Sequence, residues 1–108
     1  MPKPPVRGKE LQKSIVSYAR LKKWRVAHFP TMQGARGEWR TPVAADGKGF
    51  PDLLLVRRGQ ILAIEVKGTG DTLKPEQREW LTDLSDAGAT VAVVKPSDWP
   101  EVVQRMLN

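Results

Sequence analysis

Apolar residues recur along this chain at two periods, and the change of period marks its elements. Leu11, Ile15, Tyr18 and Ala19 are spaced as on one helix face, with no Pro or internal Gly among them. They predict a helix over about residues 8–23. Residues 24–29 read as a short strand stopped by Pro30. Residues 31–49 hold Gly34, Gly37, Pro42, Gly47 and Gly49 with little periodicity and predict a long loop, a length that is usually functional or disordered. Residues 52–57 and 60–67 are apolar strands joined by Arg58-Gly59, a tight two-residue turn. Pro75 fits the first turn of a helix, Glu76 and Glu79 favour its N-terminal end, and Gly88 stops it. Residues 90–95 predict a fully buried strand, and Ser97 or Asp98 a cap for a last helix through Leu107. The Pro- and Lys-rich residues 1–7 read as a flexible arm before a single domain. The order αβββαβα predicts an α/β fold, a mixed β-sheet flanked by helices.

Composition narrows the chemistry. The chain has 108 residues, enough for one modest core. No apolar run approaches the ~18–20 residues of a membrane span, and the first residues lack a secretory-signal pattern. The expectation is an intracellular, cytoplasmic protein with no membrane partner. There is no Cys and a single His. A disulfide scaffold, a thiol nucleophile and a Cys- or His-rich metal site are therefore excluded. Any metal must be held mainly by oxygen, which suits Mg2+, Mn2+ or Ca2+. Charge is uneven: residues 1–50 carry eleven Lys/Arg and three Asp/Glu, whereas residues 51–108 carry seven and nine. A basic half beside an acidic half points to a polyanion partner and to a separate use for carboxylates.

The candidate chemistry lies in Gly49-Phe50-Pro51-Asp52 and Glu65-Val66-Lys67. On a strand, Glu65 and Lys67 share one face. If Arg58-Gly59 are the two loop residues, Arg57 pairs with Gln60 and Asp52 falls directly opposite Glu65, with Cβ atoms ~4.5–5.5 Å apart. Two bare carboxylates so placed repel, and a divalent cation between them turns that cost into a site. Mg2+ is usually bound through one or two carboxylates plus waters and substrate phosphate. Such a cation acidifies a bound water and neutralises developing charge, as phosphodiester hydrolysis requires. Lys67 could orient that water or stabilise the charge, and the Val66 carbonyl could be another ligand. The alternative is a plain cross-strand salt bridge among Asp52, Glu65 and Lys67. Gln77 shares a helical stripe with Trp80, Leu81 and Leu84; it either faces the site or bonds backbone in the first turn. Arg36, Arg40 and Lys48 in the loop, and Lys13, Arg20, Lys22, Lys23 and Arg25 on or after the first helix, are phosphate contacts or ordinary solvated charges. Trp39 is a candidate for base stacking. His28 is a phosphate contact or a structural residue.

Pro51-Asp52, Glu65-Val66-Lys67, the preceding basic helix and the Pro75-Glu76-Gln77-Arg78 helix start resemble the VRR-NUC domain. That family belongs to the PD-(D/E)XK, or restriction-endonuclease-like, nuclease superfamily. The resemblance spans about residues 8–107. It implies a restriction-endonuclease-like core, Asp52 and Glu65 as metal ligands together with the Val66 carbonyl, and Lys67 as catalytic lysine. The superfamily often adds an acid or amide from the first helix. Gln12 matches that position better than Glu10, acting through a water, and Gln77 joins the catalytic set. The resemblance further implies a Mg2+- or Mn2+-dependent DNA endonuclease of the minimal, stand-alone kind associated with viruses, phage and bacteria. Its expected role is structure-selective, Holliday junction resolution in DNA repair and recombination by a homodimer. The alternatives are a non-catalytic nucleic-acid-binding module and a sequence-specific restriction-type enzyme.

Overall fold

A computed structural model describes residues 4–30, 32, 33, 35–40 and 43–108, the side chains of residues 32, 33, 39 and 40 excepted. Helix α1 (Gly8–Leu21) buries Leu11, Ile15 and Ala19, the predicted stripe. It stops at Leu21, short of the predicted end at residue 23, because Lys23 adopts a φ of 70° and turns the chain into β1 (Arg25–His28). The expected long loop contains a small antiparallel pair, β2 (Met32–Gln33) with β3 (Trp39–Arg40). Two-residue strands carry too little alternation to register in the sequence.

β4 (Leu53–Arg57) and β5 (Gln60–Val66) form the predicted hairpin. Arg58 and Gly59 have φ of 49° and 80°, both positive, as a twist-matched two-residue turn requires. Arg57 pairs with Gln60 and Leu53 with Ile64, so the predicted register holds. Helix α2 (Pro75–Asp86) crosses over to β6 (Thr90–Val94), which lies parallel to β5. The sheet order is β1-β4-β5-β6, with the first three strands antiparallel. This is the mixed sheet with flanking helices expected of the sequence, an α/β fold compatible with a restriction-endonuclease-like core.

β6 is half-buried, not fully buried, because it is an edge strand. The last helix also departs from expectation. Residues Pro96–Asp98 form a separate 3-10 turn in which the Asp98 carboxylate accepts the Lys95 N–H at 2.9 Å. Pro100 holds Trp99 extended, at ψ 137°, so α3 (Glu101–Leu107) starts only after it. The arm expected over residues 1–7 is tied down at Val6, whose N–H donates to Thr69 Oγ1 and whose carbonyl accepts the Thr69 N–H, both at 2.9 Å. Residues 1–3 lie outside the described residues.

Leu53, Leu55, Leu62, Ile64 and Val66 face α1 and α3 and form the core with Ile15, Val103 and Leu107. Each such fully buried aliphatic side chain contributes roughly 1.5–3 kcal/mol relative to exposure. Arg57 closes this layer. Its guanidinium lies 4.2 Å from the Trp24 ring centroid. It donates to the carbonyls of Lys22 at 2.8 Å and Leu107 at 3.0 Å, where α1 and α3 run out of partners of their own. The opposite face of β5 carries Ala63 and Glu65, and α2 covers it.

Candidate active site

Asp52 lies one residue before β4, and continuing the observed register by one pair sets it opposite Glu65. Glu65 in turn pairs with Val93 across the parallel side of β5. On the other flank the Phe29 N–H donates to the Asp52 carbonyl at 2.9 Å. One row of side chains therefore crosses the sheet as Phe29, Asp52, Glu65 and Val93, all on the α2 face. The approach to Asp52 is fixed by residues 46–51. Trp80 of α2 donates its indole N–H to the Asp46 carbonyl at 2.9 Å. Gly49 packs against the first turn of α2 so tightly that a Cβ there would lie 2.6 Å from the Glu76 backbone carbon, and its φ is +87°. Phe50 stands edge-on to both Phe29 and Trp80, with centroids 5.4 and 5.0 Å apart.

Glu65 and Lys67 are the buried charged residues of the described chain, at 2% and 8% exposure. Lys67 Nζ lies 3.4 Å from Glu65 Oε1. Gln77 ties the two together. Its Oε1 accepts Lys67 Nζ at 2.8 Å and the Lys74 N–H at 2.9 Å, while its Nε2 donates to Glu65 Oε1 at 3.1 Å. The second reading of Gln77, bonding backbone in the first turn, is therefore also observed. Asp52 accepts the Val66 N–H at 2.8 Å. Glu65 Oε2 is buried with no hydrogen-bond donor. The Asp52 carboxylate beside it can bond it only when one of the two is protonated. Burial above all, and then the Asp52 charge, pushes the Glu65 carboxyl up to about 8 against the opposing pull of Lys67. Burial also raises Asp52, opposed by the Val66 N–H.

These features suit a divalent cation. The buried, donor-less Oε2 asks for a positive partner, and Lys67 is already shared between Gln77 and the other oxygen of Glu65. Among the described residues no cluster of three His, Cys, Asp or Glu occurs. A cation here would take two carboxylates and complete its shell with carbonyl, water or phosphate oxygens, as Mg2+ commonly does.

Of the other predicted residues, none is hydrogen-bonded to Asp52, Glu65 or Lys67 among the described residues. Gln12 Oε1 lies 2.8 Å from His28 Nε2. Gln12 is thus bonded to His28, which pairs with Leu53 on the α1 side of the sheet, and not to Asp52 or Glu65. Glu10 is exposed on α1. Lys13 and Arg36 are exposed, and the Arg36 N–H donates to Glu38. Lys48 is exposed with Nζ 3.8 Å from Glu76. The side chains of Arg40 and Trp39 lie outside the description. Sequence reasoning missed the row Phe29–Phe50–Trp80. The signal was Phe29 beside Pro30, but it acquires meaning only once β1 is known to pair with β4.

A family model described as VRR-NUC domain matches residues 9–98. No curated protein and no solved structure matches the chain. No helix among the described residues is long and apolar enough to cross a membrane.

Proposed function

The chain belongs to the VRR-NUC family, a nuclease family of the PD-(D/E)XK kind, and on that premise we propose that it is a metal-dependent DNA endonuclease selective for branched structure. The observation that carries this reading is the buried, donor-less Glu65 Oε2 beside Asp52, with Lys67 held alongside by Gln77. Asp52, Glu65 and the Val66 carbonyl would hold Mg2+ or Mn2+. When bound, the cation supplies a Lewis acid for the phosphate and a more acidic water.

The protein's own groups do the rest. Glu65, whose burial favours its protonated form, would release that proton to water on offering its carboxylate to the cation. Lys67 presents an ammonium whose direction is set by Gln77 and Glu65, placed to stabilise charge growing on the phosphate. Gln77 is a positioning residue, since it acts on Lys67 and Glu65. Gln12 steadies His28 on the α1 side of β1, one residue before Phe29. Lys13, Arg36, Arg40 and Lys48 follow the phosphate backbone and supply affinity without sequence readout. A two-fold junction takes two cuts, which calls for a homodimer, and the setting is recombination or repair inside a bacterial cell or in phage replication.

The test is cleavage of an end-labelled four-way junction, a flap, a linear duplex and a single strand, each with Mg2+, Mn2+ or EDTA. Paired symmetric nicks in the junction, abolished by EDTA, are expected. Discrete sequence-dependent bands from the linear duplex would replace this reading with a restriction-type enzyme. Tight, salt-sensitive binding without cleavage would leave a binding module.

A further inference from the structure

We propose that Phe29 stacks on a nucleobase lacking a stacking neighbour, next to the scissile phosphate, and so makes the site select branch points and unpaired nucleotides. The inference rests on the nuclease reading for the identity of the ligand, but its geometry is independent of the cation. Phe29 sits directly beside Asp52 in the row that crosses the sheet, joined to it by the N–H to carbonyl bond of 2.9 Å. Neighbouring strands are ~4.8 Å apart, so a phosphate at Asp52 and Glu65 lies about one sugar away from this ring.

The ring is built in as an anchor. It is an apolar side chain with 37% exposure at the rim of a charged site. It does not hang free: Phe50 supports it edge-on, Phe50 rests on Trp80, and Trp80 is pinned to the Asp46 carbonyl. The three aromatics lead from α2, which carries Gln77, to the strand edge beside Asp52. Such support keeps the ring still, so that stacking costs little ordering. A base within a continuous duplex already has both faces covered. A base at a branch, nick or bulge has one face open, and an aromatic ring covers it irrespective of base identity. The preference that results is for structure and not for sequence.

The test is a cycle over Phe29 and the base. A duplex with one unpaired nucleotide at the cleavage position is compared with the same duplex bearing an abasic residue there, for wild type, Phe29→Leu and Phe29→Tyr. Cleavage is read in Mg2+, and binding is read by fluorescence anisotropy in EDTA on the Glu65→Gln background. Removing the base is expected to weaken wild-type binding and cleavage about ten-fold, within the range of one base–aromatic stack. Phe29→Leu should lose the same factor on the intact base and nothing further on the abasic duplex. Phe29→Tyr should behave as wild type. Equal losses on both duplexes, or a wild type indifferent to the base, would overturn the inference. If no protein cleaves but binding shows the coupling, stacking stands and the nuclease reading fails. If wild type cleaves and neither readout shows coupling, the reverse holds.

Discussion

Ionising Glu65 without a cation leaves charge on a buried oxygen that has no donor. Its carboxyl stands near 8 in the folded protein against an ordinary 4.5. Between those values the native protein keeps a proton that the unfolded chain has released, so stability must fall as pH rises through that window. Asp52, also raised, acts in the same sense. Urea unfolding in EDTA is therefore expected to show wild type less stable at pH 9 than at pH 5 by a few kcal/mol. Glu65→Gln should flatten most of that slope. If the pair holds Mg2+ or Mn2+, the cation competes with the same proton and should raise the melting temperature more at pH 8 than at pH 5. Gln77→Leu removes the acceptor of Lys67 and a donor to Glu65 together. It should cost about 1–3 kcal/mol on unfolding, and cleavage should fall by more than binding. Asp52, Glu65 and Lys67 were legible as a group because a two-residue turn fixes register. The orphaned Oε2 was not, since it depends on how α2 packs.

At the level of elements, two glycines with the same backbone sign separate conformation from contact. Gly59 has φ +80° and nothing within 4 Å of a Cβ, whereas Gly49 has φ +87° and the Glu76 backbone at 2.6 Å. Gly59→Ala should cost about 1–2 kcal/mol, the left-handed penalty alone. Gly49→Ala should cost clearly more and also lower cleavage, because Gly49 sets the approach to Asp52. Thermal unfolding of the two variants checks the order. The hairpin and the α2 crossover could be read from alternation, Pro75 and Gly88. The partner of β1 could not, because antiparallel pairing across a long insertion leaves no local signal. Ser97 and Asp98 read as caps in the sequence, but Pro100 holds Trp99 extended and separates the 3-10 turn from α3.

Across the whole molecule, the basic first half and the acidic second half share one α/β fold, with Gln12 of α1 bonded to His28 of β1. If Lys13 and Lys48 contact phosphate, replacing both with Ala should weaken binding to every DNA substrate alike. It should also reduce the slope of log affinity against log salt by about one per lost contact. An unchanged slope would return both to ordinary solvated charges. The net charge and the motifs pointed to a nuclease. The aromatic support behind Phe29 came only from the fold, since its three rings come from three separate parts of the chain.

On the proposed function, the buried carboxylate pair is a cation-dependent cleavage site. Its most direct test is the single-turnover rate on a four-way junction for wild type and Glu65→Gln, each in Mg2+ and in EDTA, with folding checked by circular dichroism. Wild type should cleave in Mg2+ alone, and Glu65→Gln should fold, bind the junction and cleave at least about a thousand-fold more slowly, as loss of a central charge-stabilising group does. Cleavage by Glu65→Gln within a few-fold of wild type, or cleavage by wild type that survives EDTA, would rule out a cation-dependent site at this pair.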